Sequence, residues 1–523
     1  MRCRHDQASG LRAQAPGFGS ALTAFAMAAV VLSATAQVAA AAERARDEVV
    51  RSATRTISIS GTPVLAVENQ VGAIRIRTHQ RAEVRIDAVF RVSAESRDLA
   101  NEFLNGLQLD VTQASSRITV RTSSPEWTRR FRNVGFTTDI DVLMPDRLPL
   151  EVRNRFGDTS VSGLGAGATI ENGNGLLAMT DGKGTYRLEN RFGDIDAFRL
   201  TGDVTLISAN GTITANTIGG TLVATNRFGA VDVKDVQKDV TVDNQNGPIT
   251  VQNARGSARV NTRFGVVDVQ SVRGGLQVSN ANGPIRASDI DGTTHLKTSF
   301  GAVVADRIRG PLTIVGANGE VRGAALSGDV TVTSTFGAVT LRDVTGRLDV
   351  RNQNGPISVT AIGKAGACRD VSLITSFGPI ALYLPSGSGY NVNARTNFGR
   401  IRSDVPILTT GTVGAETLTG TIGGGGCTLQ MIGQNGDISI QAGSGPAVDL
   451  QIPTSRLPRP PRPPRPPRAG FLPAPPAPPA PPAPPAPPAP PAPPAPPAPP
   501  APPAPPRSRR RKWKTGKVEE VEK

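Results

Sequence analysis

Glycine is placed in this chain with a regularity that few architectures can accommodate. Gly157, Gly175, Gly193, Gly211, Gly229, Gly247, Gly265, Gly283, Gly301, Gly319, Gly337 and Gly355 follow one another at a constant interval of 18 residues. The residue before each alternates: Phe156, Asn174, Phe192, Asn210, Phe228, Asn246, Phe264, Asn282, Phe300, Asn318, Phe336, Asn354. One unit is thus 18 residues, and two make a 36-residue super-repeat. Such a register points to a repeat fold before any single element is considered.

Count each unit from its glycine as position zero. Position 2 is apolar and mostly β-branched, as in Ile195, Ile213, Val231 and Ile249. Position 4 is apolar and often small, position 7 is apolar, and position 9 is usually Gly. Positions 11 and 13 are apolar again, as in Val204/Leu206 and Val240/Val242. Each unit reads as two short period-2 strands joined by glycine turns. Two such strands cannot bury an apolar face alone. Stacked as coils of a parallel β-solenoid, they bring identical positions about 4.8 Å apart and form a continuous core. Each buried Val, Ile or Leu then contributes about 1.5–3 kcal/mol against the ordering entropy.

The expected fold is therefore all-β, a parallel β-solenoid with 18-residue coils. The crossover rule for parallel strands favours right-handed coils, a right-handed β-helix. The left-handed hexapeptide helix needs an apolar residue every six, which this pattern lacks. A propeller of four-stranded blades is the competing architecture, but its blades need about 40 residues. Position 15 carries Asn172, Asn190, Asn226, Asn244, Asn280 and Asn352, with Ser or Thr in several of the other units. By parity it faces the core, where stacked amides can form a polar ladder.

Five segments follow from the composition. Residues 1–42 read as a signal peptide: Arg2, Arg4 and Arg12 precede an apolar run over 21–32, then small residues at 34–36 and 39–41 offer A-x-A cleavage patterns. An uncleaved N-terminal anchor is the alternative. Residues 43–153 form an irregular β-rich cap region, with strands expected over 64–68, 73–77, 84–92, 107–112, 117–122 and 139–144. One amphipathic helix is expected there over 94–105, capped by Ser93, as a cover for the terminal coil. Residues 154–452 are the repeat domain, with coils loosening after Gly355. Residues 453–506 are Pro-rich, with 30 of the 44 prolines between 458 and 506, too proline-laden to pack as a domain. Three Pro-Pro-Arg triplets lead into repeated Ala-Pro-Pro, the composition of a disordered polyproline II strand. Residues 507–523 are a charged, mainly basic tail.

The net charge of +15 is uneven. Residues 456–523 carry nine Arg and four Lys against three Glu, whereas residues 43–455 carry only +3. A nucleic-acid-binding body would hold its basic excess on the body itself, so nucleic acid is not the expected partner of a chain read as exported. The tail cluster of Arg507, Arg509, Arg510, Arg511, Lys512 and Lys514 suits anionic envelope polymers or lipid headgroups, or is a solvated tail without a partner. In the repeats, Arg155, Arg191, Arg227 and Arg263 each precede a Phe and recur every second coil, about 9.6 Å apart. By parity the Arg points outward and the Phe inward. This cation row would suit anionic glycans or lipopolysaccharide; the alternative is charge that keeps a flat sheet soluble. The eight Phe of the motif are expected in the core.

Catalytic chemistry has little to build on. Asp194, Asp196, Asp232, Asp235 and Asp268 lie on neighbouring coils, but a strict period leaves no inserted loops to wall them in. His5, His79 and His295 are isolated, and no zinc motif or nucleophile elbow is present. No cofactor is implied. A polysaccharide-active β-helix enzyme is the alternative class, and a walled groove of carboxylates would mark it. Cys368 and Cys427 fall about three coils apart in sequence, so sequential stacking would separate them by about 14 Å and no disulfide is expected.

The leader, the Asn-Gly and Phe-Gly coils, and the closing Leu418-Thr419-Gly420-Thr421-Ile422 and Asn435-Gly436-Asp437-Ile438-Ser439-Ile440 resemble the bacterial putative-adhesin domain family. The resemblance covers about residues 60–440. It implies an exported β-solenoid in an adhesin-like or envelope-scaffold role, and brings no catalytic residues with it.

Overall fold

The structure is a computed structural model, and it describes residues 47–126, 131–362, 368–410 and 414–451. The segment read as a signal peptide, the Pro-rich run and the basic tail lie outside the described residues. The apolar positions sort as their spacing predicts, into two parallel ladders. Sheet I holds strands such as Ile195–Leu200, Ile213–Ile218 and Val231–Val236. Sheet II holds Tyr186–Phe192, Val204–Asn210 and Leu222–Phe228. Each coil places one strand in each sheet, and the register pairs identical positions, Ile195↔Ile213↔Val231↔Ile249. Among the described residues, sheet I contains 19 strands.

Between the sheets, Ile195, Ala197, Leu200, Leu206, Ile213, Val233 and Val260 are fully buried and belong to one continuous core. The position-zero glycines make this stacking possible. Gly229 sits at φ +125°, and a Cβ there would run into the carbonyl oxygen of Gly211. Any side chain at this turn would push neighbouring coils apart.

The asparagines of position 15 are buried as parity requires, yet they bond mainly to backbone. Nδ2 of Asn190 donates to the Gly175 carbonyl at 2.8 Å. Those of Asn226, Asn244, Asn280 and Asn352 donate to Gly211, Gly229, Gly265 and Gly337 at 2.9–3.0 Å. Among the described asparagines of this column, Asn172 reaches the next amide, with its Nδ2 donating to Asn190 Oδ1 at 3.4 Å. The column satisfies the turn carbonyls of the preceding coil more than it zips to itself.

Both ends of the stack depart from chain order. In sheet II the first coil strand, Val64–Val71, lies between Arg117–Ser123 and Leu150–Phe156. Its sheet I strand, Ile74–His79, lies between Gly135–Pro145 and Thr159–Ser162. At the other end Cys427–Asn435 inserts between Val371–Phe377 and Tyr390–Phe398. The parallel stack thus starts within the segment read as an irregular cap.

This insertion overturns the expected absence of a disulfide. Cys427 opens the coil next to the one that Cys368 precedes, and the two cysteines are bonded with Cα atoms 5.7 Å apart. The sequence estimate failed because it stacked the coils in chain order.

The helix also differs from expectation. It spans Arg97–Gly106, with Ser96 as N-cap accepting from the Leu99 N–H at 3.3 Å. Ser93 and Ala94 stay in the strand Glu83–Ala94, paired with Gly135 and Asp47, so the helix cannot begin there. Its Ala100, Phe103 and Leu104 join Phe90, Val92 and Phe136 in a second, smaller core. The helix packs on the antiparallel strands Asp47–Ser58 and Glu83–Ala94, which are what extend sheet I at this end. Antiparallel strands likewise close sheet II, Gln108–Gln113 at one end and Thr417–Ile422 followed by the short Leu408–Thr409 at the other.

Candidate functional site

The outward features of the coils run as columns, because a side chain recurs at the same place on every rung. The corner before each glycine is the most distinctive. Along sheet II the register passes from Asn190↔Ser208 directly to Phe192↔Asn210, skipping the residue between. The strand ladder breaks at Arg191, so alternation restarts there, and both Arg191 and Phe192 are exposed. The expectation of an inward Phe is therefore corrected. Phe192, Phe228, Phe264, Phe300, Phe336, Phe377 and Phe398 are 44–73% exposed, and only Phe156 is half-buried. A signal for this was present in the sequence. A core position would not alternate Phe with Asn on successive rungs of identical surroundings.

Arg155, Arg191, Arg227 and Arg263 are all exposed, on alternate rungs beside these rings. The Arg155 guanidinium lies 5.4 Å from the Phe156 ring centroid, a cation–π contact. None of the four has an ion-pair partner among the described residues. Other arginines differ: Arg199 holds Asp181 through two hydrogen bonds of 2.6 and 2.9 Å, and Arg307 holds Asp289 likewise at 2.7 and 2.8 Å. Those guanidiniums keep the carboxyls of Asp181 and Asp289 below the usual carboxylate range. The row at position 16 is thus a set of cations not consumed by the fold. At its start it lines a shallow groove of about 540 Å³ with Arg121, Arg153, Glu171 and Glu189, of mixed sign. The tail residues Arg507, Arg509, Arg510, Arg511, Lys512 and Lys514 lie outside the described residues.

The aspartates do not gather. In sheet I, Asp196, Thr214, Asp232, Thr250 and Asp268 form one column by register. Successive carboxylates are two rungs, about 9.6 Å, apart. Paired glycosidase carboxylates sit about 5–9.5 Å apart across a bound sugar, and these stand on an open sheet face instead. Burial pushes the Asp196 carboxyl up; a hydrogen bond from Thr214 opposes this, and the Asp194 charge adds to the rise. Among the described residues no three His, Cys, Asp or Glu are placed to hold a metal ion. No helix among them is long and apolar enough to cross a membrane.

Position 6 was not singled out by sequence reasoning. Asp181, Arg199, Thr217, Asp235, Asn253, Ser271, Asp289, Arg307, Ala325 and Asp343 all adopt positive φ of 52–61°. This left-handed corner turns each sheet I strand toward the next turn. Its signal was the recurrence of Asp and Asn, which tolerate this region best.

No curated protein matches the chain. Solved structures similar to it include two described as adhesion proteins. A putative cell adhesion protein from Clostridium sporogenes is 8% identical, covering 76% of this chain and 100% of that one, with a TM-score of 0.16. A putative adhesin from Parabacteroides merdae is 12% identical, covering 58% of this chain and 96% of that one, also with a TM-score of 0.16. The family model described as Toastrack DUF4097 matches residues 64–441, from the first strand of the stack to its last. With the two-sheet coil architecture and a match across most of its length, the chain belongs to the Toastrack DUF4097 family.

Proposed function

We propose that the protein is an exported, non-enzymatic, adhesin-like scaffold of the cell envelope that contacts anionic polymers through Arg155, Arg191, Arg227 and Arg263. The observation that carries this reading is the row itself: four exposed guanidiniums at two-rung spacing, each without a carboxylate partner among the described residues. A linear polyanion meets such a row with regular, additive contacts. The bonded Cys368–Cys427 pair suits an oxidising compartment, as export would provide. The open aspartate column gives no support to the alternative, a polysaccharide-active β-helix enzyme. The basic tail, through Arg507, Arg509, Arg510, Arg511, Lys512 and Lys514, would add attraction to glycans, lipopolysaccharide or anionic lipid headgroups.

The test replaces all four row arginines by Gln and measures retention on lipopolysaccharide and on anionic cell-wall polymer at low and moderate salt. Each lost contact should weaken retention and flatten its salt dependence. Retention unchanged by the fourfold variant would remove the row from the reading.

A further inference from the structure

The Phe/Asn alternation is broken in the sequence but unbroken in space. After Asn354 the chain presents Phe377, then Phe398, then Asn435. Insertion of the Cys427–Asn435 strand restores the order, because Asn354↔Phe377, Phe377↔Asn435 and Phe398↔Asn435 are the registered pairs. Seven exposed rings therefore stand on every second rung from Phe192 to Phe398. Over twelve rung intervals they span about 58 Å, with about 9.6 Å between rings. Single exposed apolar residues are ordinary on a protein surface, but half-exposed rings set in one line at a constant interval offer a partner an ordered apolar track.

The spacing selects a ligand. A polyproline II strand has three residues per turn and rises about 3.1 Å per residue, so each triplet advances about 9.3 Å. Residues 474–506 of this chain are eleven consecutive Ala-Pro-Pro triplets. A three-residue sequence period on a three-residue helix puts the same prolines on the same edge at every turn. Aromatic rings are the side chains that receive such prolines, and the strand's backbone pays little further ordering entropy on docking. The mismatch of about 0.3 Å per repeat accumulates to about 2 Å over six intervals, small against the size of the rings.

We infer that the Phe column is a docking rail for a polyproline II strand, one triplet per ring, and that its occupant is the Ala-Pro-Pro run of a second copy of this chain. Seven rings need about 56 Å of strand, and the 33 residues 474–506, if they take this conformation on docking, would supply about 102 Å. The described chain ends on a different face: Arg286 and Arg322 hold the carbonyls of Leu450, Asp449 and Gln451 at 2.9–3.2 Å on sheet I. The protein would thus self-associate through its own repeats, independently of any anionic polymer.

Sedimentation of the full-length protein across a concentration series tests this. The parent protein should associate, and the variant Phe228→Ser/Phe264→Ser/Phe300→Ser should associate about tenfold more weakly or not at all. Circular dichroism should show its fold unchanged, since these rings are about half exposed. A synthetic peptide of eight Ala-Pro-Pro triplets should dissociate the parent assembly, while a peptide of equal composition with a four-residue period should not. A parent that stays monomeric, a triple variant that associates as tightly, or two peptides that compete equally would each overturn the inference. So would a column that takes a neutral β-linked oligosaccharide and ignores the triplet peptide.

Discussion

Reducing the Cys368–Cys427 bond should loosen one end of the stack and leave the middle intact. The bond closes a segment with a sequence separation of 59 residues. By loop-closure entropy, a cross-link of that length stabilises by about 4 kcal/mol, an upper value because the open form retains local structure. That segment contains the strands Val371–Phe377 and Tyr390–Phe398, and the bond at its far end anchors the coil Cys427–Asn435 and Ile438–Ala442, which lies between their rungs. Solenoid rungs are stabilised chiefly by their nearest neighbours, so the loss should stay local. Native-state hydrogen exchange with and without reductant gives the readout. Protection in Val371–Phe377, Tyr390–Phe398 and Cys427–Asn435 should fall by up to about 10³-fold, the equivalent of about 4 kcal/mol. Protection in Val240–Asn246, far along the stack, should not change. Replacing both cysteines by Ser should reproduce the effect in the absence of reductant. Unchanged protection at the C-terminal rungs, or an equal fall at Val240–Asn246, would refute the argument.

Three further perturbations follow from the columns. Thr217, β-branched and exposed at φ 61°, is held in the left-handed region, so Thr217→Gly should raise stability by about 1 kcal/mol in denaturant titration; a loss instead would mean that the corner is not strained. Asn226→Leu removes the amide that serves the Gly211 carbonyl and should cost about 1–3 kcal/mol, measured the same way; a neutral result would show that the turn carbonyls need no side-chain donor. Asp196 has its carboxyl raised by burial, so its charged form costs stability above the folded-state pKa and the cost is lost as pH falls through it. Asp196→Asn should therefore be the more stable protein at neutral pH, with the difference closing on acidification, and a difference independent of pH would contradict this.

The coil, its strands and its core were legible in the sequence because a stacked rung gives each position the same surroundings every 18 residues. Burial at positions 2, 4, 7, 11 and 13 then shows as a constant apolar preference, and the turns show as glycine. The outward Arg row was legible for the same reason. The Phe beside it was misassigned, since strict strand parity was carried through a corner where the backbone skips a paired residue. Only the register, with Asn190↔Ser208 followed by Phe192↔Asn210, reveals that parity restarts there.

What the amino-acid sequence determined alone is periodic and local: the 18-residue coil, its two strands, and the residues that face inward along them. What tertiary structure decided is the order in which rungs stack. Cys427 reaches Cys368, and Asn435 falls between Phe377 and Phe398, because a later coil enters between two earlier ones. Parallel rungs of equal width offer nearly the same hydrogen bonds and apolar face to any neighbour, so local pattern specifies a rung without specifying its place. That place is set by which neighbours best close the exposed edge at each end.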